Sequence, residues 1–171
     1  MEYVVLVDEN DNEIGQMEKQ AAHVTPHLHR AFSIFIFNSK GELLLQQRAL
    51  SKYHSPGLWT NTCCSHPRAG ETLEEATARR LQEEMGMHCD LHEVFTFIYK
   101  APVGLGLVEH EFDHVWFGTT DDTPVINTDE VASWKYMALD DIADDMKNHP
   151  EGYTEWFKIS FEEIRKHVNQ P

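Results

Sequence analysis

Three groups of residues in this sequence have the types and the spacing that chemistry requires. The first is the segment "WTNTCCSHP", in which Cys63 and Cys64 are adjacent and His66 follows. If the segment is extended, residues two apart share a face, so Cys64 and His66 project together while Cys63 faces the other side. Cys63 is then most simply a small core residue. The spacing leaves open whether Cys64 is a metal ligand or a nucleophile.

A pair of glutamates forms the second group. The alternation of side chains in a strand places Glu109 and Glu111 of "VEHEF" on one face, with His110 and Phe112 on the other. Two carboxylates on one face repel each other unless a cation, a proton or solvent separates them. Taken alone, the pair is most simply a solvated outer face of the strand.

Histidines form the third group, because His23, His27 and His29 fall within seven residues just before an apolar strand. Three imidazoles so close together, in a chain that also carries "CSHP", favour metal binding. Imidazole and carboxylate ligands suit zinc, manganese or iron rather than an all-oxygen magnesium cage. Five other histidines are interpreted as surface or capping residues: His54, His88, His92, His149 and His167.

Basic residues are scarce in this acidic chain, which has a net charge of −15 and only 14 lysines and arginines. The charge excludes a nucleic-acid surface but not a small anionic substrate, which needs a local basic cluster or bound cations. Several basic residues gathered around one pocket would provide that cluster: Lys19, Arg48, Lys52 and Arg80. The alternative is a set of surface charges, in which Arg79 pairs with Glu83 one helical turn later.

The elements that must position these residues are those of one α+β domain over residues 1–171. Strands are predicted at 3–8, 31–37, 42–49, 58–64, 94–101, 108–118 and 133–139, and helices at 72–85, 140–148 and 154–168. The segment 9–15 is rich in turn residues. The clearest helix, 72–85, has a capping box from Thr72 and Glu75 and a stop at Gly86, and it points Arg80 and Glu84 the same way.

One tryptophan is set apart from the core stripe of the last predicted helix. That stripe is formed by Phe157, Phe161, Ile164 and Val168. Trp156 lies about 100° from Phe157 on an ideal helix, so its side chain can face a site outside the core stripe. The alternative for Trp156 is a half-buried position at the rim of the core.

The chain carries no sign of a membrane or secretory segment. Its longest apolar run, residues 32–37, is far too short to span a bilayer, and the first residues lack the basic region of a signal peptide. Three cysteines cannot all pair, and a bridge between neighbours would be strained. Reduced thiols and a cytoplasmic location are therefore expected.

The run "SHPRAGETLEEATARRLQEEMGM", residues 65–87, resembles the Nudix box. Six residues fall on matching positions of that motif: Glu71, Arg79, Leu81, Glu83, Glu84 and Gly86. Two positions depart from it, because Ser65 replaces the first glycine and Arg80 replaces a magnesium-binding glutamate. An arginine repels a cation, which argues against ordinary Nudix hydrolysis.

Over nearly its whole length the chain resembles the type I isopentenyl-diphosphate Δ-isomerases of the Nudix superfamily. The matching segments are "EKQAAH", "LHRAF", "QRALSK", "PGLWTNTCCSHP", "GETLEEATARRLQEEMG", "FIYKA", "EHE" and "EWF". In that family "TN-x-x-C-x-HP" carries the catalytic cysteine, and the helix typically reads "RR". The resemblance implies a mixed β-sheet packed between helices in an α/β/α sandwich, and the interconversion of isopentenyl and dimethylallyl diphosphate through a tertiary carbocation.

The resemblance also implies roles for the residues of the three groups. A first metal, zinc or manganese, would be held by His23, His29, His66, Glu109 and Glu111. A second ion, magnesium, would bind Glu84 and the substrate diphosphate, with help from the Cys64 backbone carbonyl. The residues at diphosphate-contacting positions are Lys19, Arg48, Lys52 and Arg80. Cys64 and Glu111 would be the acid–base pair, Tyr99 would assist them, and Trp156 would lie over the cation.

Two alternatives to this function stay open on the sequence. A Nudix hydrolase of another diphosphate would use Glu83 and Glu84 with magnesium and would not require Cys64. A noncatalytic module would bind metal through His29, His66 and Glu111 and turn over nothing. The expected partner is a small isoprenoid diphosphate, with no nucleic acid, no membrane and no obligatory protein partner.

Overall fold

The computed structural model describes residues 2–52 and 54–168. Its strands are β1 (Tyr3–Val7), β2 (Glu13–Glu18), β3 (His29–Phe37), β4 (Leu43–Arg48), β5 (Trp59–Thr60), β6 (Cys63–Ser65), β7 (His92–Gly104), β8 (Leu107–Thr119) and β9 (Val131–Met137). Its helices are α1 (Lys19–Val24), α2 (Leu73–Met85), α3 (Leu139–Asn148) and α4 (Glu155–Val168), with a 3₁₀ turn at Pro150–Gly152. No helix in these residues is long and apolar enough to cross a membrane.

The strands form one mixed sheet around β3. This strand runs parallel to β8 and antiparallel to β1, β4 and β6. On the far side of β8 lies β7, and on the far side of β4 lies β9, both antiparallel to their neighbours. The predicted α+β class with a mixed sheet is confirmed.

Both faces of β3 are covered by helices, which explains why its last four residues, 34–37, are all apolar. Phe32, Ile34 and Ile36 pack with Leu81 and Met85 of α2. On the opposite face, the alternate residues Phe35 and Phe37 pack in a cluster that includes Ile142 of α3 and three residues of α4: Phe157, Phe161 and Ile164. The sheet therefore lies between α2 on one side and α3 with α4 on the other.

Helix α2 begins and ends as the sequence predicts. The Thr72 hydroxyl accepts from the Glu75 N–H at 3.1 Å, and the Glu75 carboxylate accepts from the Thr72 N–H at 3.0 Å. Gly86 ends the helix in the left-handed region, with φ of 62°. A Cβ at this residue would lie 2.4 Å from the carbonyl oxygen of Val125, so a larger residue cannot fit there without a shift.

The segment 58–64 was predicted as one strand, and this prediction is wrong. The structure has two short strands, β5 and β6, separated by Asn61 and Thr62. The Asn61 side-chain amide donates to the carbonyls of Ile34 and Cys63, and the Thr62 hydroxyl donates to the carbonyl of Leu44. These buried side chains satisfy backbone groups that a continuous ladder would otherwise pair.

Two elements near the amino terminus have no counterpart in the sequence prediction. Strand β2 begins within the turn-rich segment and pairs with β1. None of its side chains is fully buried, so its sequence shows no apolar alternation. Helix α1 has only six residues, and the Glu18 carboxylate caps it by accepting from the Ala21 N–H at 2.8 Å. A helix this short is less than two turns and gives no measurable periodicity.

Candidate active site

Three neighbouring strands place His29, Glu111 and Tyr99 in one row. His29 of β3 pairs directly with Glu111 of β8, and Tyr99 of β7 pairs with the same glutamate from the other side. Directly paired residues share a face of a sheet, and Glu109 joins that face because it lies two residues before Glu111. Both glutamates are buried, so the shared face is confirmed and a solvated outer face is wrong for this pair.

His23 and His29 present the same ring nitrogen, Nε2, to the neighbouring glutamates. His23, on α1, donates from Nδ1 to the carbonyl of Lys19 at 2.8 Å, and His29 donates from Nδ1 to the carbonyl of His27 at 2.9 Å. The lone pair of each neutral ring is thereby placed on Nε2, which is the arrangement typical of metal-binding histidines. His27 itself makes a contact from Nδ1 to the Thr25 carbonyl at 2.5 Å and belongs to neither donor group found among the described residues.

A compact donor group is formed by His23, His29, His66 and Glu111, whose ligand atoms lie within 4.8 Å of one another. The Nε2 atoms of His29 and His66 are 3.2 Å apart, and Glu111 Oε2 lies 2.8 Å from the His66 nitrogen. Three imidazoles and a carboxylate fit zinc or manganese, so the residues suit the metal that the resemblance implies.

Burial and the neighbouring side chains together set the protonation states of Glu111 and His66. Burial opposes ionisation of Glu111, but its interactions with the neighbouring His29 and His66 outweigh burial and hold the pKa of that carboxyl well below its usual range. Burial lowers the pKa of His66 to about 4, although Glu111 acts to raise it. Glu111 is therefore a carboxylate and His66 a neutral ligand at neutral pH.

Glu109 falls in a second donor group, with His23 and His54. Its Oε1 lies 3.3 Å from the Nε2 of His54, and its Oε2 accepts from the Tyr99 hydroxyl at 2.5 Å. The same hydroxyl also contacts Glu111, so its one proton is shared between the two carboxylates. Burial raises the pKa of Tyr99 well above its usual range, with both glutamates adding to the effect, so the phenol keeps its proton.

His54 corrects the sequence interpretation, which treated it as a surface or capping residue. It is 5% exposed and lines the cavity, and the Arg48 guanidinium donates to its carbonyl at 3.1 Å. Burial, reinforced by Arg48, lowers the pKa of His54 to about 2, which keeps the imidazole neutral. One feature of the sequence could have indicated this position. His54 lies two residues after Lys52, and Lys52 was itself predicted to line a pocket.

The two adjacent cysteines lie on opposite faces of β6. Cys63 pairs with Ile34 and is fully buried in the core beneath α2, where its Sγ lies 3.3 Å from Glu84 Oε2. Cys64 pairs with Ser33 and lines the cavity. Both are free thiols, and burial raises the pKa of Cys64, so its thiol is protonated at neutral pH. The predicted separation of the two faces is confirmed.

The basic residues line the same cavity, and three of them, Lys19, Lys52 and Arg80, each lie against a carboxylate. Arg80 donates to Glu84 at 2.8 Å and to Glu130 at 2.6 Å, while Lys52 lies 3.4 Å from Glu130. Lys19 lies 3.4 Å from Glu2. Neither Glu2 nor Glu130 stands in a motif, so sequence reasoning missed both. Arg79 does not line this cavity and pairs with Glu71 and Glu83.

Trp156 closes the cavity from α4. It is 3% exposed, so the predicted alternative of a half-buried rim tryptophan is wrong. Its ring meets His54 edge to face at 5.9 Å, and the Arg48 guanidinium lies 5.3 Å from its centroid. Around it a small apolar cluster is formed by Tyr99, Ala101, Val103 and Leu107, with Cys64 packed against it.

One cavity thus collects most of the residues that the sequence singled out. Its lining includes Lys19, Arg48, Lys52, Cys64, His66, Arg80, Glu84, Tyr99, Glu109, Glu111 and Trp156. His23 and His29 lie behind this lining, in the donor groups described above. A thiol, a carboxylate pair with histidines, an indole and a basic end are together in one cavity.

The NUDIX domain family matches residues 27–157 of the chain. The isopentenyl-diphosphate Delta-isomerase of Pectobacterium atrosepticum is 56% identical over 161 residues, which cover 94% of this chain and 90% of the relative. Isopentenyl-diphosphate Delta-isomerase 2 of Photorhabdus laumondii is 51% identical, with 96% of each chain covered.

Two solved structures show the same fold at low identity. The crystal structure of DR0079 from Deinococcus radiodurans superposes with a TM-score of 0.78 at 22% identity and covers 99% of this chain and 100% of its own. That of the MutT protein from Methanosarcina mazei superposes with a TM-score of 0.69 at 19% identity, covering 84% and 96%. At this identity the likeness concerns the fold alone.

Proposed function

The chain belongs to the isopentenyl-diphosphate Delta-isomerases with a NUDIX domain, and we propose that the cavity lined by Cys64, Glu111 and Trp156 is the active site. The observation that carries this proposal is the meeting of a thiol, a buried carboxylate and a buried indole in one cavity with a basic end. These are the groups that the movement of a double bond in a diphosphate ester requires.

The reaction sets clear demands on the site. A proton is added to C4 of isopentenyl diphosphate and another is removed from C2, which gives dimethylallyl diphosphate. The state between them is a tertiary carbocation, which water would destroy. The site therefore needs a proton donor, a proton acceptor, an apolar chamber and a group that stabilises positive charge.

Cys64 and Glu111 are the proposed acid–base pair, one of which gives a proton at C4 while the other takes one from C2. The directions of their pKa shifts support this pairing, because the thiol keeps its proton while the carboxyl loses it. Tyr99 lies between Glu109 and Glu111 and shares its one hydroxyl proton between them, which holds the two carboxylates in place.

Trp156 is the proposed partner of the carbocation. An indole face in a dry site stabilises a cation by about 2 kcal/mol or more. A carboxylate at about 4 Å adds about 4 kcal/mol at an effective dielectric constant near 20. The apolar cluster around Trp156 would hold the five-carbon tail, whose burial contributes only about 0.8 kcal/mol per CH₂. Affinity for the substrate should therefore depend mainly on the diphosphate.

The basic end is the proposed diphosphate site, with Lys19, Arg48, Lys52 and Arg80 as contacts. We propose that Glu84 holds a magnesium ion together with the diphosphate, and that the donor group around His66 and Glu111 holds zinc or manganese. When bound, these ions would screen the charge of the diphosphate and the carboxylates. Arg80 would then turn from Glu84 and Glu130 toward the diphosphate.

We also propose that residues 1–171 form one isomerase domain that acts in the cytoplasm on a small-molecule substrate. The free thiols of Cys63, Cys64 and Cys89 support the location, and the net charge of −15 argues against a nucleic-acid partner.

The decisive experiment is incubation with isopentenyl diphosphate, magnesium and zinc or manganese in deuterated water, followed by NMR. Dimethylallyl diphosphate containing deuterium is expected, since the added proton comes from groups that exchange with solvent. No product from the metal-reconstituted protein would contradict the proposal. Release of phosphate instead of isomerisation, undiminished in Cys64→Ala, would indicate a hydrolase.

A further inference from the structure

We propose that the indole N–H of Trp156 donates a hydrogen bond to the diphosphate, so that the edge of the ring binds the anion while its face lies against the reacting carbons. This inference rests on the proposed function, in which Trp156 stabilises the carbocation. It adds a neutral donor to the basic residues of the diphosphate site, and it makes one ring contact both ends of the substrate.

The Trp156 N–H is buried without an acceptor. The residue is 3% exposed, and its Nε1 has no hydrogen-bond partner among the described residues. An indole nitrogen can only donate, and a buried tryptophan N–H usually has a partner, because an unpaired buried donor destabilises the fold. An acceptor atom of a bound ligand would provide that partner.

Two other donors in the cavity lining share this condition. The Nε atoms of Arg48 and Arg80 are also buried and unpartnered within the part of the chain that the structure describes. Both arginines line the cavity together with Trp156, and a guanidinium, like an indole, can only donate. Three unsatisfied N–H donors around one cavity fit a ligand that carries several acceptor oxygens, which is the chemistry of a diphosphate.

Trp156 lies close enough to Arg48 to share an anion with it. The Arg48 guanidinium carbon is 5.3 Å from the centroid of the Trp156 ring, and Nη2 donates to the His54 carbonyl. An oxygen bound by Arg48 Nε would therefore lie beside the indole. The N–H lies in the plane of the ring, so this contact leaves the π face to the carbons. The anion would also offset the Arg48 charge, which otherwise opposes a carbocation at the same ring.

Trp116 provides the contrast within this chain. Its Nε1 is likewise buried and has no partner among the described residues, but the side chain packs in the core cluster beneath α2. It is not one of the described residues that line the cavity. A diphosphate in the cavity would not contact it, so a substitution of Trp116 is the matched control.

Calorimetric titration of the full-length protein with inorganic diphosphate, in the presence of magnesium, tests the inference without the five-carbon tail. Trp156→Phe keeps an aromatic face but removes the N–H. Its dissociation constant should rise about 10–100-fold, as expected for a lost hydrogen bond to a charged group. Trp116→Phe should bind like the wild type. Wild-type affinity in Trp156→Phe would overturn the inference, and so would an equal loss in Trp116→Phe.

NMR of the ¹⁵N-labelled wild type is a second measurement, and it decides if Trp156→Phe does not fold. The indole N–H peak of Trp156 can be assigned by elimination among the four tryptophans. Inorganic diphosphate should move this peak downfield and leave the Trp116 peak in place. An unmoved Trp156 peak at saturating diphosphate would overturn the inference.

Neither measurement requires turnover, so the two proposals can fail separately. A protein that binds diphosphate through the Trp156 N–H but does not isomerise isopentenyl diphosphate would refute the proposed function alone. Normal isomerisation with an unmoved Trp156 peak would refute this inference alone.

Discussion

The two ends of the cavity are built in different ways. At the histidine–glutamate end, strand register sets the positions, since His29, Glu111 and Tyr99 are direct neighbours across β3, β8 and β7. At the basic end, Arg80 comes from helix α2 and Lys52 from a loop, and both meet Glu130. The first end is a buried donor set that suits a cation, while the second is a set of ion pairs that an anion must open.

This difference predicts where substitutions act. Changes at the histidine–glutamate end should alter catalysis and metal binding, because its donor side chains are buried and held in place by neighbouring residues. Changes at the basic end should alter substrate affinity, because its cations are the groups that a diphosphate would contact in place of their present carboxylate partners.

The largest expected effect is loss of turnover in Cys64→Ala and in Glu111→Gln. Each removes one member of the proposed acid–base pair, a contribution of about 10²–10⁴-fold in rate. Single-turnover assays with isopentenyl diphosphate measure it. Cys63→Ala is the matched control, because this neighbour faces the core and not the cavity. An equal loss in Cys63→Ala would show that the two faces are not functionally distinct.

Metal removal should destabilise the protein, because the donors of the histidine–glutamate end would lose their cation. Zinc at about 100 times its dissociation constant would stabilise the fold by about 2.7 kcal/mol. For a chain of this size, that corresponds to a rise of about 5–10 °C in melting temperature. Thermal unfolding with and without zinc measures the shift, which His66→Gln should diminish. Arg80→Gln, at the basic end, should keep it. A shift lost equally in both variants would contradict the separation of the two ends.

Arg80→Gln should raise KM about 10–100-fold with a smaller change in kcat, since it removes a charge-assisted contact worth about 1.5–3 kcal/mol. Steady-state kinetics over a range of isopentenyl diphosphate concentrations separates the two constants. Arg79→Gln is the matched control, because the neighbouring residue pairs with Glu71 outside the cavity. A loss in kcat alone would place Arg80 in the chemistry and not in binding.

The smallest expected effect has the opposite sign. Glu130→Gln removes the carboxylate that pairs with both Arg80 and Lys52, so KM should fall by about 1.5–5-fold, the equivalent of a weak ion pair. The same steady-state measurement detects it. A rise in KM would mean that Glu130 positions these cations for the substrate and does not compete with it.

Several features of this protein could be predicted from the sequence because they depend on short-range periodicity. The alternation in β8 and β6 placed Glu109 with Glu111 and separated Cys63 from Cys64, and both arrangements are present. The capping box and Gly86 gave the bounds of α2. These features need only the geometry of one element.

Other features depended on contacts between segments distant in the chain, which no local pattern encodes. The burial of His54 requires β8 and α4 to cover its loop, and the pairing of Glu130 with Arg80 joins residues 50 positions apart. Helix α1 was too short to show a period, although it carries His23 into the donor group. The sequence alone therefore determined which side chains share a face within one strand or helix. Only the tertiary structure decided which groups meet, because burial and strand register are set by the whole sheet.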